Sequence, residues 1–113
     1  MRYLCLTALL MVVACSRPAV DAERGGRLYL FYGCAACHGA RGDGLGPGAA
    51  LSGIKPRDLR DLPAYTKGSS IDQIARTIEI GVGFAGMPAY SDLPLDERRS
   101  IAVWIHRIAR EKR

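Results

Sequence analysis

Apolar residues fall along this chain in two regimes. Residues 4–13, LCLTALLMVV, form an almost unbroken apolar run, whereas beyond residue 20 the apolar positions are spaced as on helices. A first helix is expected from about Asp21 to Tyr32, with Leu28, Tyr29 and Tyr32 on one face and Gly33 as its stop. A second opens in SSIDQIARTIEIG. There Ser70 and Gln73 have the spacing of a capping box, Ile71, Ile74, Ala75 and Ile78 make one stripe, and Gly81 closes the helix. A third runs from near Pro94 towards Lys112, with Ile101, Trp104, Ile105 and Ile108 sharing a face. Asp96 and Glu97 at its start and Arg107, Arg110 and Lys112 at its end suit the helix dipole. No segment alternates convincingly with a period of two, so the expected class is all-α, with three main helices.

The first apolar run is too short to span a bilayer as a helix, and it follows a basic Arg2, so it reads as an export signal. Val12, Val13, Ala14 and Cys15 resemble the lipobox of bacterial lipoproteins, which implies a signal over residues 1–14 and a lipidated Cys15. The other reading is a soluble secreted chain with Cys15 unmodified or removed. Several acyl chains on one residue anchor stably where one does not. Ser16–Ala22 lacks an apolar period and reads as a tether (residues 15–22) reaching roughly 20–25 Å if extended. Residues 23–113 then form one domain. The expected location is the periplasm or outer cell face, anchored through Cys15.

Removing residues 1–14 leaves 99 of the 113 residues, enough for a modest core. Loss of Arg2 takes the net charge from +5 to +4. The arginines are scattered and no basic run is interleaved with aromatics, which with export argues against nucleic acid. The excess fits a solvated surface, or one that steers an acidic protein partner, and a monomer is expected.

Of four cysteines, only Cys34 and Cys37 fall in the folded part, too close to form a disulfide framework. With His38 they make Cys-x-x-Cys-His, the attachment signature of a c-type haem. Cysteines three apart on one helical turn present both sulfurs to one side, where each adds to a haem vinyl group; the next residue aims its imidazole at iron. Two rivals use the same thiols. A structural zinc site wants four ligands, and beyond these three only His106 is left. A thioredoxin-like dithiol needs a strand–helix–strand setting that the pattern lacks. Six glycines between Gly39 and Gly53, and three more over residues 81–86, suggest backbone wrapped around a flat, bulky group.

Outside the signal the one methionine is Met87, in GVGFAGMPAY, where Pro88 holds it in a loop. It is the candidate distal ligand. His106, the competing nitrogen, lies off the apolar stripe beside Arg99 and Arg110 and is expected to be exposed; Val103 also falls on that polar side.

The order helix, Cys-x-x-Cys-His-Gly, glycine loop, helix, Gly-Met-Pro, helix resembles class I cytochrome c over residues 24–110. The likeness is to the short bacterial single-haem kind related to the cytochrome domains of haem–copper oxidases. It implies one covalent haem c on Cys34 and Cys37, with His38 and Met87 as the iron ligands. Gly25 and Tyr29 match the family's small residue and aromatic on the first helix, and Trp104 the aromatic on the last, where the two helices cross. The resemblance also implies that the Pro47 carbonyl accepts a hydrogen bond from His38. Pro56 and Arg57–Leu59 match a segment beneath the haem, with Arg57 and Tyr65 as candidate propionate partners. Pro94-Leu95 departs from the usual Ser or Thr start of the last helix.

With both axial positions filled, the expected function is one-electron transfer between membrane-associated redox partners, such as a respiratory or other oxidoreductase, and not catalysis by the domain itself. If Met87 is not bound, the open iron makes a peroxidase or small-gas sensor. If no haem is attached, a non-haem metal or interaction module remains.

Overall fold

The computed structural model describes residues 18–112, together with residues 11, 14 and 16; Cys15 and the run before Met11 lie outside the described residues. Among the described residues five α-helices follow one another: α1 (Ala22–Phe31), α2 (Cys34–His38), α3 (Pro47–Ser52), α4 (Ile71–Ile80) and α5 (Leu95–Glu111), with short 3-10 turns at Leu62–Ala64 and Gly83–Ala85. Among the described residues no strand forms beyond a single bridge between Val82 and Met87. The three helices read from the apolar pattern are α1, α4 and α5. The helical part begins at Ala22, inside the stretch assigned to a tether, with the Asp21 carboxylate accepting from the Arg24 amide.

α1 crosses α5, and the crossing depends on Gly25. A Cβ built there would lie 1.8 Å from the Ser100 carbonyl oxygen, so only a residue without one lets the backbones meet. Tyr29, 1% exposed, stacks tilted on Trp104 with ring centroids 4.3 Å apart. Ion pairs Arg24–Asp96 (2.8 Å) and Arg107–Glu23 (2.7 Å) flank this contact, and the Tyr32 hydroxyl donates to Glu97 (2.6 Å). On α4 the Ser70–Gln73 capping box forms in both directions, and Ile74, Ala75 and Ile78 are buried against α5. At the start of α5, Pro94 supplies no side-chain cap; its carbonyl accepts from the Glu97 and Arg98 amides.

The buried positions of α5 are Arg98, Ser100, Ile101, Ala102, Ile105 and Ala109, while Trp104 and Ile108 are half-buried. The face is wider than the expected stripe because α5 packs against α1 on one side and α4 on the other. This corrects the expectation for His106. It is half-buried, and its Nε2 donates to the Ser69 carbonyl at 2.6 Å, just ahead of α4. Arg99 meets Asp72 at 2.8 Å nearby. The start of α4 therefore covers part of the charged side of α5, which accounts for a half-buried Val103 there.

Candidate functional site

Gly33, at φ +78°, ends α1 and turns the chain directly into α2. α2 is one turn long, too short to show a period in sequence, and it is held from outside. The Gly44 and Gly46 amides donate to the carbonyls of His38 (2.8 Å) and Cys37 (3.0 Å), and the buried Tyr29 hydroxyl donates to the Gly39 carbonyl at 2.6 Å. A Cβ at Gly46 would stand 2.3 Å from the Ala36 carbonyl oxygen. Within residues 39–48, Gly44, Gly46 and Gly48 are the positions at which a Cβ would meet the backbone of residues 56–57 or Ala36, so they let loop backbone lie against that segment and against α2. α3 (Pro47–Ser52) begins at the end of the same stretch.

Cys34, Cys37 and His38 line one cleft of about 720 Å³, within the roughly 300–1,000 Å³ of cofactor sites. Its other walls are mostly apolar. Tyr29 and Ile101 come from the helix crossing, Ile74 and Ile78 from α4, and Leu59 and Pro56 from the intervening loop. Met87 lines the same cleft from the loop after α4. That loop is a tight lobe in which Val82 and Met87 exchange two backbone hydrogen bonds of 3.0 and 3.1 Å. His106 is not among the lining residues, so the cleft has one histidine and one methionine.

The His38 Nδ1 faces the Arg57 carbonyl at 3.1 Å. A carbonyl only accepts, so Nδ1 carries the proton and Nε2 keeps its lone pair for a metal. This corrects the Pro47 expectation. Pro47 is the first residue of α3, and its carbonyl points along that helix, whereas the Arg57 backbone passes beside the ring. Burial holds the His38 pKa below its ordinary value, against the Arg57 carbonyl, which raises it; the Arg57 charge adds to the lowering. Burial also pushes the Cys34 thiol up to about 11. Cys34 and Cys37 form no disulfide with each other. Among the described residues no three His, Cys, Asp or Glu side chains gather as a metal-binding group, so the tetrahedral zinc reading has no ligand set. The Arg57 guanidinium lies over the Tyr65 ring at 5.4 Å and donates to the Ala64 carbonyl. The Tyr65 hydroxyl donates to the Leu59 carbonyl at 2.7 Å, and both side chains line the cleft.

These residues fit a covalently held haem. Two thiols and an imidazole with a free lone pair share one turn, a thioether sulfur lines the same space, and the walls are mostly apolar, with Lys55, Arg57 and Lys67 the charged residues of the lining. One residue escaped the sequence reading. Arg98 is 8% exposed and donates to the carbonyls of Leu93 and Ala75. In sequence it sits in the charged run DERR, which gave no sign of burial.

Residues 20–105 match the family model described as cytochrome C oxidase, cbb3-type, subunit III. No curated protein and no solved structure gives a significant match.

Proposed function

From a chain that belongs to the family of cytochrome c oxidase, cbb3-type, subunit III, and is thereby a class I c-type cytochrome with covalently bound haem c, we propose a one-electron carrier with His38 and Met87 as axial ligands. Haem-based electron transfer comes with the family. What supports the finer reading is a single apolar cleft that collects Cys34, Cys37 and His38 from α2 and Met87 from the loop beyond α4.

In this reading Cys34 and Cys37 would hold the haem on α2 as thioethers, each S–H having added across a vinyl group. The bound haem supplies a ferrous/ferric couple. His38 presents Nε2 to the iron, and its Nδ1–H···O bond to Arg57 fixes tautomer and ring plane. Met87 presents a thioether sulfur that favours the ferrous state. Ile74, Ile78 and Leu59 keep the surroundings dry, which disfavours the additional ferric charge and raises the potential in the same direction.

Phe84, 90% exposed, lines the cleft with Lys55 and Lys67, whose ammonium lies 6.0 Å from the Phe84 ring centre. This apolar and basic rim suits an acidic redox partner, and the family's name points to an oxidase assembly as that partner's class. Cys15 is proposed as a lipid anchor of an exported chain. Among the described residues no helix is long and apolar enough to cross a membrane.

The test is an optical spectrum of the purified protein, oxidised and reduced, with acid–solvent extraction of the pigment. Retained pigment, a low-spin spectrum with the weak long-wavelength band of methionine on ferric iron, and little uptake of carbon monoxide are expected. Pigment lost to acid solvent defeats the attachment. Rapid, strong carbon monoxide binding at neutral pH defeats the Met87 assignment and the carrier reading with it.

A further inference from the structure

Arg98 is the one charged side chain among the described residues that is buried, and the electron-carrier reading gives it no task. Its three hydrogen-bond partners lie on two different segments. Nε donates to the Leu93 carbonyl at 3.1 Å, and Nη1 donates to the Ala75 carbonyl at 3.1 Å and to the Glu79 carboxylate at 3.3 Å. Ala75 and Glu79 belong to α4. Leu93 ends the loop that carries Met87, and Arg98 itself sits on the first turns of α5.

The loop from Gly81 to Leu93 hangs between α4 and α5. On the α4 side, the Gly81 amide donates to Thr77 (2.8 Å) and the Tyr90 amide to Ile78 (2.9 Å). At its far end the Leu93 amide turns back on Tyr90 (3.2 Å), and the Leu93 carbonyl is held by Arg98. Leu93 is also buried in the core, so the loop's return is fixed at both a side chain and a carbonyl. The apolar contact of α4 with α5, through Ile74, Ile78, Ile101 and Ile105, does not need the guanidinium. An apolar side chain at 98 would fill the space, but could not donate to three acceptors on two segments. Of the Arg98–Glu79 pair only the guanidinium is buried, the carboxylate side chain being 31% exposed; such pairs add little stability over well-packed apolar groups, and the attested use of buried charge is to fix one arrangement among several.

We infer that Arg98 is a positioning residue for Met87, clamping the return of its loop to α4 and so holding the thioether sulfur in the cleft. The inference rests on Met87 being the distal ligand. It acts on the fraction of time the sixth position is open, and an external ligand's apparent affinity scales with that fraction.

The experiment titrates imidazole into the ferric holoprotein, following loss of the methionine band, for wild type, Arg98→Met, Arg98→Lys and Ser70→Ala. Ser70→Ala removes the α4 cap and lowers thermal stability without touching the loop's return. Arg98→Met should bind imidazole about tenfold more tightly than wild type, the signature of a sixth position open about tenfold more often. Arg98→Lys, which keeps a donor, should fall between them, and Ser70→Ala should match wild type. Unchanged imidazole affinity in both Arg98 variants overturns the clamp, as does a Ser70→Ala shift equal to theirs, which would mean that affinity tracks stability alone. If Arg98→Met does not fold, Arg98→Lys decides by the same criterion. A wild type without the methionine band overturns the Met87 assignment first and the clamp as its consequence, so the two failures are distinguishable.

Discussion

Replacing Gly25 with alanine should destabilise this domain, although alanine is the better helix former. The substitution gains about 1 kcal/mol of helix propensity. Against that, the new Cβ would lie 1.8 Å from the Ser100 carbonyl oxygen, and ordinary contact begins at 3.4 Å, leaving 1.6 Å to be made up. The obstacle is backbone on a fully buried turn of α5, so no side chain can swing aside. The helices must separate, loosening the Tyr29–Trp104 stack and the Arg24–Asp96 pair together. Overpacking of a well-packed site costs about 1–3 kcal/mol and sometimes more; a backbone clash belongs at the upper end, for a net loss of roughly 2–3 kcal/mol. In a domain of this size that lowers Tm by about 10–20 °C. The assay is thermal unfolding of the holoprotein, followed by far-ultraviolet circular dichroism and haem absorbance. Gly83→Ala is the control, because a Cβ there meets nothing within 4 Å, and it should stay within about 0.5 kcal/mol of wild type. A Gly25→Ala protein as stable as wild type, or more so, would refute the close-crossing argument.

Three further outcomes are expected. Tyr29→Phe leaves the Gly39 carbonyl without its buried donor, costing about 1–2 kcal/mol, seen as a lower denaturant midpoint at unchanged slope. Met87→Ala should keep the haem attached, admit carbon monoxide to the reduced protein and lower the potential by on the order of 0.1–0.2 V, within the roughly 0.8 V span of axial ligation; unchanged potentiometry would remove Met87 from the iron. The Arg60 side chain, ahead of Lys112, holds the Asp58 carboxyl well below the ordinary carboxylate range. A pKa depressed in the folded state gives stability that is present above the ordinary value and lost as pH falls through the depressed one. Asp58→Asn should therefore flatten the acid limb of a stability–pH profile, and an unchanged limb would count against the pairing.

The long elements were legible because burial on one side leaves a period and capping leaves a signature. α4 carries both, in its isoleucine stripe and the Ser70–Gln73 box. The haem-binding turn was legible for another reason: thiol, thiol and imidazole must be neighbours to act together, so the motif survives in one dimension. What could not be read were features fixed by how distant segments meet. α2 and α3 are too short for a period. The acceptor for His38 is a backbone carbonyl, and every residue has one, so its choice of Arg57 over Pro47 depends on the path of the loop. Arg98 and His106 lie among charges that look solvated until α4 is laid across them.

The domain is fastened by its two ends. The Asp21 amide donates to the Ser100 hydroxyl 79 positions away, and Glu23 meets Arg107 across 84. By contrast, the turn bearing both thiols and the imidazole is complete by residue 38 and braced within the next ten. A polypeptide emerging amino end first therefore exposes that turn while the clasp still lacks its second half. The motif turn and its bracing are local, whereas closure of the domain waits on its last helix.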